Sequence, residues 1–313
     1  MKRNKNKALE PFHNPNDLLK FHPEVSKFAQ ISTIEIINID STNVEPTLWT
    51  KIAEIIFANQ NKYDGFVITH GTDTMAYTAS ALSYAICKVG KPIVLTGSQK
   101  PFEDIPTDAK NNLINAVIVA TKLSQGVYIV FGQKILQGNR TTKISESNLE
   151  AFDSPMVSPV GSIQLETEIH NQYLNKDNKN ISFNIKFNPN IISIKITPGL
   201  INFNLEKTIL KKYDGIILEG YGPGNIPDSL MSFLYKAKKQ ELPVIILSQC
   251  KNGVTKMNLY EVGRQAVVGG GIPGGDMTIE AATTKLMWIL PQTKDIKKIK
   301  KLFLTNIAGE ITV

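Results

Sequence analysis

With two cysteines in 313 residues, the chain cannot build a disulfide framework. Neither Cys87, inside a helical pattern, nor Cys250, after an apolar strand, has the spacing of a metal ligand, so both are expected as buried thiols. Long hydrophobic runs are missing too. No stretch approaches the roughly 20 apolar residues that span a bilayer, and the basic N-terminal segment has no apolar run behind it. A cytoplasmic protein with no membrane partner is the expectation. Aromatic residues are sparse around the positive charge. The net charge of +7 gathers partly on Lys2, Arg3, Lys5 and Lys7, and partly on Lys294, Lys297, Lys298, Lys300 and Lys301. The second group alternates with Ile296, Ile299, Leu302 and Phe303 at helical spacing, which describes the solvated face of a packed helix. Without stacking aromatics or a recognition motif, nucleic acid is not an expected partner.

What is present is the composition of an ordinary globular protein, 42% hydrophobic and 20% charged. Its length favours two domains. Apolar strands at 34–39, 92–96 and 126–131 alternate with helical patterns at 46–59, 74–89 and 108–123. Near-continuous apolar strands separated by helices indicate a parallel sheet buried on both faces. Residues 172–202 are rich in Asn and Lys, with short β-like runs at 181–187 and 191–196. Beyond them, strands at 215–218 and 244–247 and helices at 228–239 and 279–290 make a second unit. The expected fold class is therefore α/β: a larger N-terminal domain with a parallel-rich sheet flanked by helices (1–187), a linker (188–205), and a smaller C-terminal α/β domain (206–313).

Chemistry concentrates where strands empty into polar loops. The run Phe66-Val67-Ile68-Thr69-His70-Gly71-Thr72-Asp73-Thr74-Met75 passes from an apolar strand to a helix N-terminus, where open α/β sheets place ligands and unpaired N–H groups favour negative charge. Thr72 and Asp73 could equally cap that helix. Asp40-Ser41-Thr42-Asn43 follows the strand at 34–39 and could likewise be a cap ahead of Pro46. Thr96-Gly97-Ser98-Gln99 forms a third polar loop. Gly138-Asn139-Arg140-Thr141-Thr142-Lys143 supplies cations, although a lysine in a polar loop is ordinarily just hydrated. Four successive strands would then bring hydroxyls, a carboxylate and a lysine to one edge. That mixture suits a free amino acid: Asp73 for its ammonium, Ser41 and neighbouring N–H groups for its carboxylate. A threonine hydroxyl needs a base beside it, so Thr72, Lys143 and Asp73 form a candidate acid–base relay.

Taken in order, these motifs and Gly275-Asp276-Met277-Thr278-Ile279-Glu280-Ala281 resemble those of type I (cytoplasmic) bacterial L-asparaginases over nearly the whole chain. The resemblance implies hydrolysis of L-asparagine to L-aspartate and ammonia through a threonine acyl-enzyme, with no metal or organic cofactor. It assigns Thr72, Asp73 and Lys143 to catalysis and Asp40, Ser41, Thr42, Thr72 and Asp73 to substrate binding. A homodimer or homotetramer is also implied.

Two departures stand out. The family opens with a Thr-Gly-Gly-Thr-Ile-Gly type motif whose first threonine is the nucleophile, and these residues contain no such segment. Met1 to Lys7 resembles the stretch just after it, so the expectation is a start placed too late, with a natural truncation as the alternative. Glu219 replaces an arginine that the family can use in a control site near a cysteine matched by Cys250. Simple saturation kinetics are therefore expected. Alternative readings are an asparaginase-like component of a tRNA-dependent amidotransferase and a non-catalytic amino-acid-binding relative. A dinucleotide site at Gly220-Tyr221-Gly222-Pro223-Gly224 is weaker, since the third spaced glycine is absent.

Overall fold

The computed structural model of the chain describes residues 2–3, 9–10, 23–86, 89–174, 183–200 and 209–312. The chain divides into two compact units, Met1–Ile185 and Lys186–Val313.

The first unit begins with β1 (Lys2–Arg3) and β2 (Leu9–Glu10), which pair antiparallel. Helix α1 (Pro46–Asn59) has Pro46 in its first turn, where the missing N–H goes unused. Its buried face is Trp49, Ile52, Ala53 and Ile56. After β3 (Phe66–Thr69) comes α2 (Met75–Ala85), then β4 (Pro92–Thr96), α3 (Ala109–Lys122) and β5 (Gly126–Phe131). β3, β4 and β5 are parallel, with Phe66 opposite Ile93 and Ile93 opposite Val127. β4 is buried at all five positions, and α3 covers one face by packing Ala116, Val119 and Leu123 against Val94, Tyr128 and Val130. Full burial of a valine or leucine side chain of this kind stabilises by about 1.5–3 kcal/mol.

The sheet then changes direction. β6 (Lys134–Gln137) returns antiparallel to β5, and the chain continues through β7 (Thr142–Lys143) and β8 (Phe152–Asp153), which pair with each other. β9 (Gly161–Ile163) and β10 (Thr167–Ile169) complete the order β10-β9-β6-β5-β4-β3. This antiparallel extension was not anticipated, because β6 to β10 are two to four residues long and too brief to show a period.

One expected strand is corrected. Residues 34–39 pair with no strand among the described residues, and Ile34 and Ile37 are 54% and 52% exposed. An apolar run becomes a strand only beside a partner that accepts its N–H and C=O groups. β3 accordingly lies at the sheet's edge. The segment nevertheless tracks alongside β3: Ser32 hydrogen-bonds Tyr63 ahead of that strand, and the carbonyl of Ser41 meets Thr74 beyond it.

The second unit is a four-stranded parallel sheet, β11 (Ile191–Lys195), β12 (Gly215–Gly220), β13 (Val244–Ser248) and β14 (Gly271–Pro273), in that order. Helices α4 (Met231–Lys239), α5 (Glu261–Val268), α6 (Ile279–Ile289) and α7 (Ile296–Leu304) accompany it. β11 falls inside the segment expected as a linker, which is corrected: its Ile/Lys alternation suits an edge strand with one face covered. Of the run 181–187, residues 183–187 are not in a strand, and 181–182 lie outside the described residues. Cys250 is exposed rather than buried, in the turn after β13, and Cys87 lies outside the described residues. The lysines of α7 are solvated while Ile299 and Phe303 are buried, as the spacing indicated.

Lys285 on α6 is a fully buried cation. Its Nζ donates to the carbonyls of Phe303 and Thr305, each at 2.7 Å, and is ion-paired with the equally buried Glu310. Burial pushes its pKa down while Glu310 opposes the shift. Removing one partner of such a pair leaves an uncompensated charge, so Glu310→Ala is expected to lose about 3–5 kcal/mol in denaturant unfolding.

Candidate active site

Three loops meet at the carboxyl ends of β3 and β4, and glycine lets them touch. The N–H of His70 donates to the Thr96 carbonyl at 2.8 Å and extends the ladder by one residue. A Cβ on Gly71 would stand 2.6 Å from Ser41 Oγ, and one on Gly97 would collide with the His70 carbonyl. Thr74 Oγ1 donates to the Ser41 carbonyl at 2.6 Å. The underside is stapled by buried Asn112 on α3, whose amide nitrogen donates to Gly97 O and whose oxygen accepts from Gly132 N–H. That one side chain joins the ends of β4 and β5.

The capping reading of Thr72 and Asp73 does not hold. The N-cap of α2 is Thr74, with no side-chain cap bond. Thr72 and Asp73 instead face Lys143, whose Nζ donates to Thr72 Oγ1 at 2.8 Å and Asp73 Oδ1 at 2.7 Å. The lysine side chain is 18% exposed and the aspartate 55%, which leaves part of the carboxylate open to solvent. Thr72 Oγ1 donates in turn to Gln99 Oε1 at 3.2 Å.

Lys143 follows the strand at 126–131 as expected, but an unforeseen antiparallel strand, β6, lies between them. After β6 has run down from the edge, Gly138 packs where a Cβ would lie 3.0 Å from both Ala79 Cβ and the Val127 carbonyl at the start of β5. The chain then climbs to β7, held by β8, whose Phe152 packs edge-on against Phe131 with ring centroids 5.0 Å apart. Ser41 is buried beside Gly71. Asp40 and Thr42 bond to each other: Asp40 Oδ1 accepts from the Thr42 N–H at 2.9 Å and hydroxyl at 2.8 Å, which holds its carboxyl below the usual range. Asp40 therefore caps the turn that presents Ser41.

One participant was missed from the sequence. His70 Nδ1 lies 2.7 Å from the Gly71 carbonyl, and its Nε2 lies 2.9 Å from Thr78 Oγ1, which also accepts from Trp49 Nε1 at 3.1 Å. Donor and acceptor rules allow one polarity when the ring is neutral: Nδ1–H donates to Gly71, and Thr78 donates to Nε2. Desolvation lowers the pKa of the ring and favours that neutral form. His70, adjacent to the hydroxyl-rich turn, was the available signal. No group of three or more His, Cys, Asp or Glu side chains suited to a metal occurs among the described residues. Nor is any described helix long and apolar enough to cross a membrane.

The geometry thus joins a hydroxyl, a carboxylate and an ammonium at a sheet edge. Residues 1–176 match the family model described as Asparaginase, N-terminal, and 190–303 match that of the Glutaminase/Asparaginase C-terminal domain. The chain belongs to the asparaginase family. The L-asparaginase of Thermococcus kodakarensis is 40% identical over 286 residues, covering 91% of this chain and 87% of that protein. A solved structure of the thermostable L-asparaginase from Thermococcus kodakarensis superposes with a TM-score of 0.90 at 37% identity, covering 100% of this chain and 95% of that one. A component of the glutamyl-tRNA(Gln) amidotransferase of Methanobrevibacter smithii is 35% identical over 315 residues, 97% of this chain and 72% of that protein. The two-domain α/β fold agrees with these asparaginase structures.

A pH dependence follows from His70. Its folded pKa lies below the ordinary 6.5, so on acidification the unfolded chain binds a proton that the folded chain refuses. Stability contributed by the neutral ring is present above pH 6.5 and is lost as pH falls below it. Unfolding free energies measured between about pH 7.5 and 5.5 are expected to decline, and to decline less in His70→Gln.

Proposed function

We propose that the chain hydrolyses L-asparagine to L-aspartate and ammonia, as a cytoplasmic homo-oligomer of the type I kind and without a metal or organic cofactor. The observation that carries this reading is the contact of Lys143 Nζ with both Thr72 Oγ1 and Asp73 Oδ1. In the proposed reaction the exposed part of Asp73 receives the substrate ammonium. Ser41, in the turn formed with Asp40 and Thr42, receives its carboxylate, and Thr72 with Lys143 relays protons to and from the amide. Lys143 must shed a proton before it can accept one, and the substrate ammonium would compete with it for Asp73.

The attacking hydroxyl of the resembled family belongs to the Thr-Gly-Gly-Thr-Ile-Gly motif, which residues 1–313 do not contain. Among the described residues β3 has no partner on its outer edge and Ile34 and Ile37 are exposed, which supports the reading that a nucleophile-bearing parallel strand belongs there. The intact mass of the protein from its native host tests it: a mass above 34.7 kDa by about one strand and a turn supports it, and a matching mass overturns it.

A second reading, an asparaginase-like component acting with a partner on charged tRNA, draws on the 35% identity to the amidotransferase component over 97% of the chain. Release of ammonia and aspartate from free asparagine, by the native-host protein without tRNA, supports the first reading. Turnover that appears only with tRNA and a partner supports the second. Under the first, Lys143→Met is expected to lower kcat about 10²- to 10⁴-fold with a smaller change in KM.

A further inference from the structure

We propose that Gln99 is a positioning residue for the Thr72–Lys143 pair, one that sets both the direction of the Thr72 proton and the place of the segment that delivers Lys143. The kinetic part of this inference rests on the asparaginase reading above; the structural part does not.

Donor and acceptor chemistry fixes the direction of the contacts. A lysine ammonium has protons to give and no lone pair. The 2.8 Å contact from Lys143 Nζ therefore uses Thr72 Oγ1 as an acceptor, and the hydroxyl proton of Thr72 must point elsewhere. Gln99 Oε1, at 3.2 Å, is where it points. The Gln99 amide cannot be turned over without loss. Its Nε2 faces the carbonyls of Ser145 at 3.4 Å and Asn148 at 3.3 Å, and carbonyls only accept. Flipping the amide would set oxygen against oxygen in both places.

The base of the side chain is held as firmly as its tip. The N–H groups of Gln99 and Lys100 donate to the two oxygens of buried Asp108, at 2.9 and 3.0 Å. Asn112 Nδ2 donates to the same carboxylate at 3.1 Å. Asp108 immediately precedes α3, so Gln99 stands on a helix packed under the sheet. Ser145 and Asn148 belong to the loop that follows β7. One amide thus connects β4, through its own backbone, to the Thr72 hydroxyl and to the chain leaving Lys143.

The resulting order is Lys143 Nζ–H to Thr72 Oγ1, and Thr72 Oγ1–H to Gln99 Oε1. Both protons run outward from the lysine. A hydroxyl held this way can release its proton to an incoming acceptor in place of Gln99 while it takes one from Lys143, and reversing the sequence restores it. No atom is left over in either direction.

The test is Gln99→Met in the native-host protein, which keeps an unbranched side chain and removes both polar ends. The first readout needs no activity: hydrogen exchange of amides in 144–150, several of which are bonded within the loop to Ser145 Oγ, Asn148 Oδ1 and Ala151 O. Faster exchange there, with α3 unchanged, is expected; unaltered exchange overturns the inference. The second readout is kinetic. A fall in kcat of about 10- to 100-fold, with KM changed less than about threefold, is expected. An unchanged kcat, or a loss confined to KM, overturns the positioning role. Gln99→Glu keeps the acceptor facing Thr72 and removes the donors to the loop, so it should share the fast exchange yet retain more kcat than Gln99→Met. If the unaltered protein releases no ammonia from asparagine, the asparaginase reading fails, and the exchange measurement alone decides the role of Gln99.

Discussion

The ammonium of Lys143, shared between Thr72 Oγ1 and Asp73 Oδ1, is the contact that organises the sheet edge. Its partners lie 71 and 70 residues earlier in the chain, so no local propensity brings the three together. The meeting is an outcome of topology. β3 delivers the hydroxyl and carboxylate directly, while the lysine is delivered by a chain that passes down β6 and climbs back beside α2. The lysine and aspartate meet at 2.7 Å in a charge-assisted hydrogen bond, the stronger of the two kinds of contact at this edge.

Small side chains make that return path possible. Every residue of α2 except Tyr77 is buried, and the helix is built largely from alanine, serine and threonine. Such a helix has no solvent face and can be approached closely from several sides. Gly138 sits against Ala79 with no room for a side chain of its own. Gly71 and Gly97 play the same part at the edge, where Ser41 and the His70 carbonyl would otherwise be displaced. Exclusion of bulk and placement of charge are two aspects of one packing solution.

Much of this was legible from residue patterns, and the reasons differ by element. The helix at 46–59 and the strands at 92–96 and 126–131 match their observed bounds, because each is long enough to show its period and is buried as that period requires. Thr72, Asp73 and Lys143, singled out as polar residues in loops that follow strands, are brought together by the fold. The antiparallel strands from β6 to β10 were not legible, being too short for alternation to count. Residues 34–39 mislead for another reason: they have the composition of a strand, but pairing is a property of two segments, and the described residues contain no partner. The Trp49–Thr78–His70–Gly71 chain crosses two helices and a loop, a relationship that a linear reading cannot reveal.

The double-back of the chain between β5 and Lys143 has a consequence for how the molecule comes apart. A site built on a surface loop can loosen by itself, since little else opens with it. Here the segment carrying the lysine is wedged at one end of β5 by Gly138 and clamped at the other by Phe152 on Phe131. Releasing it means opening both ends of a central strand. The segment carrying Lys143 is thereby tied into the packing of the core strand beneath it, and it is expected to open with that core rather than ahead of it.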